Sequence, residues 1–221
     1  MAEGLLEQVV NGLMMGSIYV LVALGMVLIY GVMHVLNFAH GVLFAVGAYV
    51  CYFILSKVTG SYALAVVLSM AVLAVLGLAL EHAVFRPLRG NLRNQVIASL
   101  GLILAIQNSV IWIWGPNALQ MKIPATQSIV ALGGALLGPL FLVFPTMGDQ
   151  PLVKGLAGII LGGMGSVPGA VIGALAIGVV EAVSTLYFPT DYRDSVAFMV
   201  IVLVLLARPQ GLFGVRVRGE D

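Results

Sequence analysis

Val9–Tyr30, with the sequence VVNGLMMGSIYVLVALGMVLIY, decides the fold class of this chain. It contains no charged side chain, and as a helix rising about 1.5 Å per residue it crosses the roughly 30 Å hydrocarbon core of a bilayer. Further apolar runs follow at Phe38–Leu55, Tyr62–Leu80, Val96–Ile113 and Val167–Phe188. None shows the alternation of a β-strand, so the sequence predicts an all-α polytopic bundle of transmembrane helices.

The composition supports this prediction and narrows the class of protein. The chain is 61% hydrophobic and 9% charged, whereas an ordinary soluble domain is about 25% charged. The net charge is +1 and the charges are dispersed among the loops, so no nucleic-acid partner is predicted. Cys51 is the one cysteine and lies inside an apolar run, which excludes a disulfide framework. Because no Lys or Arg precedes Lys57, we interpret the first run as a retained helix rather than a cleaved signal peptide.

The basic residues predict the orientation in the membrane. Six of the ten lie in the 81–95 loop or the C-terminal tail, namely Arg86, Arg89, Arg93, Arg208, Arg216 and Arg218. Short loops rich in Lys and Arg remain in the cytoplasm, so both regions are predicted to be cytoplasmic and the N-terminus to lie outside. Five apolar candidates separate the two regions, yet an odd number of crossings cannot return to the same side.

One candidate must therefore fail to span the bilayer. Leu152–Leu161 is the shortest, since ten helical residues reach only about 15 Å. It is followed by Gly162–Gly169, a glycine-rich stretch that also contains Pro168 and cannot be regular helix throughout. The sequence predicts a broken or re-entrant segment here, covered by protein rather than lipid. Ile129–Phe144 is the other suspect, because three glycines and a proline interrupt it.

Polar residues inside the apolar runs are candidates for function, because a charge at the bilayer centre costs at least about 2.5–3.5 kcal/mol. Glu181 lies between Val179-Val180 and Ala182-Val183. The sequence leaves open whether it is a structural carboxylate or a group in a transport pathway or gate. Gln107 and Asn108 are expected to join helices by hydrogen bonds. Tight helix packing is predicted by glycines four residues apart, at Gly12/Gly16, Gly134/Gly138, Gly158/Gly162 and Gly169/Gly173.

The segment Gly31–Gly41, with the sequence GVMHVLNFAHG, interrupts two long apolar runs. His34 and His40 lack a third ligand or a nearby carboxylate, so no metal site is predicted. Asn37 is interpreted as the N-cap of the second helix. The sequence brings no nucleophile, base and orienting group together and holds no phosphate-cradling G-x-x-x-x-G-K-[ST] loop. Neither an enzyme nor a bound cofactor is therefore expected.

Four stretches of this chain resemble the membrane permease subunits of ABC importers for branched-chain, hydrophobic amino acids. In order they are Leu36–Gly41 with Gly47–Tyr49, Glu81–Arg89, Leu161–Ala170 and Arg208–Gly214. The resemblance implies a multi-pass subunit of the cell inner membrane that works with a second permease subunit, two cytoplasmic ABC ATPases and an extracytoplasmic solute-binding protein. Urea and short-chain amide importers share these motifs and remain an alternative. Converging polar groups would favour urea, and an apolar cavity would favour Leu, Ile or Val.

The resemblance to permease subunits implies that the polar residues in the apolar runs and the residues at the helix breaks are candidates for functional sites. The candidates for the substrate pathway are Asn37, His40, Gln107, Asn108, Gly163, Ser166 and Glu181. We further expect the break at Gly162–Gly169 to line the pathway, paired across the subunit with the break at Gly31–Gly41. Arg86, Arg89 and Arg93 are candidates for an ATPase interface, although contact with lipid headgroups is the simpler interpretation.

The chain departs from the family pattern near residues 127–131. Family members carry a long cytoplasmic loop after the middle of the chain, with a helix that docks on the ATPase. Here Lys122–Gln127 runs almost directly into Ala131–Gly134, which resembles a stretch well beyond that loop. Residues 1–221 are therefore interpreted as one transmembrane permease domain with an internal deletion. A membrane scaffold that assembles but does not transport is the alternative.

Overall fold

Helices make up almost all the secondary structure in the computed structural model, which describes residues 2–33, 37–121, 142–163, 165–208 and 210–213. They are α1 (Ala2–Met33), α2 (His40–Lys57), α3 (Tyr62–Leu80), α4 (Leu92–Trp114), α5 (Asp149–Gly162), α6 (Val167–Ser184) and α7 (Arg193–Ala207). Two short antiparallel strands, β1 (Leu119–Gln120) and β2 (Leu142–Val143), pair with Leu119 opposite Val143. The predicted all-α fold is confirmed.

Five helices in the described part of the chain are long and apolar enough to cross a membrane. They are α1, α2, α3 with its continuation to Leu88, α4 and α6, and they correspond to the five long apolar runs of the sequence. With 14 and 15 residues, α5 and α7 extend only about 21–23 Å, less than the hydrocarbon core. Because α7 is nearly as short as α5, helix length does not single out Leu152–Leu161 as the segment that fails to span. Most of the other suspect, Ile129–Phe144, lies outside the described residues.

Side-chain caps position the starts of two of the described helices. The Ser166 hydroxyl accepts a hydrogen bond from the Gly169 amide at 3.1 Å at the start of α6, and Asn91 caps α4 in the same way. The predicted N-cap of α2 was wrong by two residues, because Ala39 occupies that position. Asn37 instead accepts from the Ala39 amide at 2.9 Å. An asparagine side chain readily binds the amide two residues on, which stabilises a turn rather than the first helical turn itself.

Helices α1, α6 and α7, with α5 from Gln150 onwards, form one compact unit. Glycines bring their backbones together. Gly12 of α1 lies against Val179 and the Gly178 carbonyl of α6, and Gly158 of α5 lies against Ala174. Glycines of three of the four predicted pairs occupy such contacts, whereas Gly134/Gly138 lies outside the described residues. Small side chains thus allow α6 to approach both neighbours closely.

The second compact unit runs from residue 35 to residue 149. Its core includes Tyr49 and Val143, and the ring of Tyr49 lies 5.2 Å from that of Trp114, centroid to centroid. Gly41, in the first turn of α2, is in backbone contact with Gly148. Helices α3 and α4 are largely exposed along their apolar lengths, as expected for helices that face lipid or another subunit.

We predict that Gly12→Ala weakens the packing of α1 on α6. The added Cβ would lie 2.6 Å from Cα of Val179 and 2.8 Å from the Gly178 carbonyl oxygen, so backbone rather than a flexible side chain must move. Overpacking of this kind costs about 1–3 kcal/mol, which thermal unfolding of the purified protein in detergent will measure. Gly77→Ala is the matched control, because the space around Gly77 is open. Equal stability of the two variants would contradict this packing.

Candidate functional site

The predicted helix break between α5 and α6 is present. Helix α5 ends at Gly162 and α6 begins at Val167, and between them Gly163 and Gly165 have φ values of +105° and +95°. Side chains rarely adopt such left-handed conformations, which explains why glycine is used at both positions. The break therefore depends on glycines that two regular helices would not need.

The C-terminal segment 210–213 packs onto this break. The amides of Leu212 and Phe213 donate to the carbonyls of Leu161 and Gly162 at 2.8 and 2.9 Å, which satisfies backbone acceptors left free where α5 ends. A Cβ on Gly211 would lie 2.6 Å from the Gly163 nitrogen, so only glycine fits against the break. The two sequence motifs at residues 161–170 and 208–214 thus form one structural feature.

A buried ionic cluster lies elsewhere in the same unit and consists of Tyr19, Lys154, Glu181, Arg193 and Asp194. Glu181, which is 5% exposed, accepts from the Lys154 ammonium and from the Tyr19 hydroxyl at 3.1 Å, and its carboxylate forms an ion pair with Nε of Arg193 at 3.2 Å. Lys154 is 3% exposed and lies 5.7 Å above the Tyr19 ring. The contacts explain how two charges are accommodated in an apolar unit, because each has an opposite charge and hydrogen bonds.

Each cation of the ionic cluster contacts both anions. Lys154 also donates to Asp194 at 2.6 Å, and Nε of Arg193 lies 3.7 Å from the same carboxylate. The side chains of Arg193 and Asp194 are 38% and 43% exposed, so one pair of charges is buried and the other lies at a rim. Asp194 is outside the five candidate spans, and the hydrogen bond from Lys154 holds its pKa below the usual range. Two positive and two negative charges make the cluster neutral overall.

The ionic cluster and the helix break lie at opposite ends of α6. Glu181 is three residues from the end of this helix at Ser184, a rise of about 4.5 Å. From Val167 at the break it is 14 residues, or about 21 Å along the axis. Of the predicted pathway residues, Gly163 and Ser166 therefore lie at one end of this unit and Glu181 at the other.

The second unit contains a smaller polar contact. Nε2 of Gln107 in α4 lies 3.0 and 3.2 Å from the two carboxylate oxygens of Asp149, so Gln107 joins two elements as expected. Asn108 instead donates to the Leu104 carbonyl of its own helix at 2.7 Å. His40 is half-buried in the first turn of α2. The expected helix-joining role is thus observed for Gln107 and not for Asn108.

The arginines of the 81–95 region have local roles. Nη2 of Arg89 lies 2.6 Å from Glu81, and Nη1 of Arg86 lies 3.1 Å from Nδ1 of His82. Arg93 is exposed in the first turn of α4. The region itself folds as a π-turn over Glu81–Phe85 and a 3₁₀ turn over Arg86–Leu88, which continue α3 in helical form.

Sequence reasoning found Glu181 and missed the other four residues of the ionic cluster. Lys154 could have been predicted from the sequence, because it is a single cation inside the apolar run Leu152–Leu161. A charge inside an apolar run is the same observation that identified Glu181. Two opposite charges inside apolar runs predict each other as partners. Tyr19 carries no such signal, because a tyrosine is common in membrane helices.

Comparison with known proteins assigns the chain to a family. The sequence model of the family described as "Branched-chain amino acid transport system / permease component" matches residues 8–130 and 116–205. The chain belongs to this family. No solved structure matches it.

Relatives from three bacteria align with the chain over nearly its whole length. The high-affinity branched-chain amino acid transport system permease protein LivH of Escherichia coli K12 is 28% identical over 295 positions, covering 95% of each chain. LivH of Salmonella typhimurium is 28% identical over 299 positions and BraD of Pseudomonas aeruginosa 26% over 293, with the same coverage. The alignment with E. coli LivH has 295 positions against 221 residues here, so at least 74 of its positions have no residue from this chain.

We predict that Glu181→Gln destabilises the protein by about 3 kcal/mol, the low end for breaking a buried ion pair because Asp194 still accepts from Lys154. The neutral double variant Lys154→Met/Glu181→Gln should recover most of this loss, since no buried charge is left without its partner. Unfolding in sodium dodecyl sulfate, followed by circular dichroism, gives both values. A double variant less stable than the single one would contradict the pairing of these two residues.

Proposed function

We propose that this protein is a pathway subunit of an ABC importer that brings branched-chain amino acids into the cell. Membership of the permease family and the long alignments with LivH and BraD support this function. The five candidate membrane spans supply a multi-pass membrane subunit. Such a subunit carries no ATPase of its own, so it works with ATPases and a solute-binding protein, and we propose a second permease subunit beside it.

We further propose that the element coupling the subunit to its ATPases is missing near residues 127–131. Two observations support this. At least 74 alignment positions have no counterpart in the chain, and the two matches to the family model meet at residues 116–130. This favours a second candidate function, a membrane subunit that assembles with its partners without ATP-driven transport. The loop arginines do not readily replace the missing element, because Arg89 is paired with Glu81.

For the orientation we propose an extracytoplasmic N-terminus and a cytoplasmic 81–95 region and tail. The clustered arginines support it. Among the described residues three candidate spans precede residue 89, and three crossings take the chain from the outside to the cytoplasm. In the first half of α1, Gly12 and Gly16 lie against Val179 and Leu175 of α6, so the two helices run antiparallel and the C-terminal end of α6 lies on the same side as the N-terminus. With this orientation the break between α5 and α6 faces the cytoplasm and the ionic cluster faces the outside.

The orientation predicts which engineered cysteines an impermeant thiol reagent labels in intact cells. In a Cys51→Ala background, Glu3→Cys should be labelled from outside and Asn91→Cys only after the cells are permeabilised. Native Cys51 is buried, so its removal should not disturb the surface. Labelling of Asn91→Cys but not of Glu3→Cys in intact cells would reverse the proposed topology.

Reconstitution tests the substrate and the coupling together. In proteoliposomes with both ATPases and the solute-binding protein, the chain as it stands is expected to give no ATP-dependent accumulation of L-leucine. A chimera that receives the missing positions of E. coli LivH after Gln127 should restore accumulation of leucine, isoleucine and valine. ATP-dependent accumulation by the unmodified chain would contradict the lost coupling. A chimera that accumulates urea in place of leucine would contradict the proposed substrate.

A further inference from the structure

The charges of the ionic cluster exceed what one structural ion pair needs. Lys154 and Glu181 are both buried and already satisfy each other. Arg193 and Asp194 add a second cation and a second anion at the exposed rim, where each contacts a member of the buried pair. Because both cations contact the Asp194 carboxylate and both contact Glu181, partners can be exchanged without moving a helix.

We propose that the ionic cluster is the entry site for the charged backbone groups of a zwitterionic α-amino acid. The substrate carboxylate binds Lys154 and Arg193, and the substrate ammonium binds Glu181 and Asp194. This proposal specifies the substrate class of the importer as zwitterionic α-amino acids. It rests on the proposed function and on the proposed orientation of the chain in the membrane. A zwitterion replaces one cation–anion pair by two new ones and leaves the cluster neutral.

Electrostatics inside an apolar unit makes this exchange selective. A buried charge without a partner is costly, by at least several kcal/mol per ion, so Lys154 and Glu181 separate only when replacement charges arrive together. A ligand with only an ammonium or only a carboxylate group supplies one of the two replacement charges. Urea or a short amide supplies neither charge. The converging groups are charged rather than merely polar, which removes the reason to favour urea. The geometry of the guanidinium of Arg193 suits a carboxylate, because its planar N–H groups match two oxygens.

The position of the ionic cluster agrees with an entry site. It lies at the end of α6 opposite the break and the docked tail, which is the extracytoplasmic end in the proposed orientation. A solute-binding protein delivers substrate on that side. Exposure of Arg193 and Asp194 provides access, while the buried pair lies behind them. Tyr19 holds Glu181 from the side of α1 with its hydroxyl group and is a positioning residue rather than a charged partner.

Binding to the full chain in nanodiscs tests the site without any need for ATP coupling. Equilibrium dialysis with ³H-labelled L-leucine is expected to detect binding, and L-valine is expected to compete. Isopentylamine and 4-methylpentanoate each keep one of the two charges and should compete at least about tenfold more weakly. Urea should not compete. This comparison uses only the native protein, so it does not depend on the folding of a variant.

The double variant Lys154→Met/Glu181→Gln is expected to lose at least about tenfold in leucine affinity while its helical circular dichroism and elution volume stay unchanged. Glu7→Gln/Lys57→Met is the matched control, because it makes the same changes at two exposed residues outside the cluster. Failure of native protein to bind leucine, competition by urea equal to that by valine, or leucine binding by a folded double variant equal to native would each overturn the site. Uptake by the LivH chimera reports separately on the proposed function, so a failure of one is distinguishable from a failure of the other.

Discussion

The backbone contact of α6 with α1 and α5 is the constraint on which the unit of α1, α5, α6 and α7 depends. Gly12, Gly158 and Gly173 lie where any Cβ would meet the backbone of the neighbouring helix. Without a hydrophobic driving force between helices in lipid, association relies on such close packing and on hydrogen bonds. The same closeness lets the side chain of Lys154 on α5 reach Glu181 on α6. Packing and charge placement are therefore consequences of one pattern of small residues.

The ionic cluster places two charged side chains in an apolar environment, which costs free energy unless the charges are paired. Lys154 and Glu181 lie in an environment of low dielectric constant, where each strengthens the other and neither is stable alone. Hydrophobic residues of the same volume would often stabilise a protein equally well, so stability gives little reason for the pair. The partly exposed second pair, Arg193 and Asp194, is the observation on which the proposed binding of a zwitterionic ligand rests.

Elements that depend on local sequence were predicted, and elements that depend on tertiary partners were not. Apolar length alone predicted the five long helices, and glycine spacing predicted the close contacts at Gly12 and Gly158. The position of Glu181 inside an apolar run identified it as a candidate functional residue. Its partners lie on three other helices, so no local sequence pattern predicts them. The N-cap of α2 was predicted at Asn37, two residues too early, because an asparagine side chain accepts the same kind of hydrogen bond in a turn and at a helix start. The docking of Gly211 on Gly163 joins segments about 50 residues apart, a contact that no periodicity encodes.

The proposed sites of substrate recognition and of ATPase coupling lie in different parts of this chain. All five residues of the ionic cluster come from α1, α5, α6 and α7, and none lies near 127–131, where we propose that the coupling element is missing. The proposed deletion therefore concerns the docking element and no residue of the ionic cluster. Under the two proposals, the groups that bind the zwitterionic substrate are retained, whereas the attachment of the ATPases is lost. Leucine binding and ATP-driven uptake can therefore be measured independently of each other.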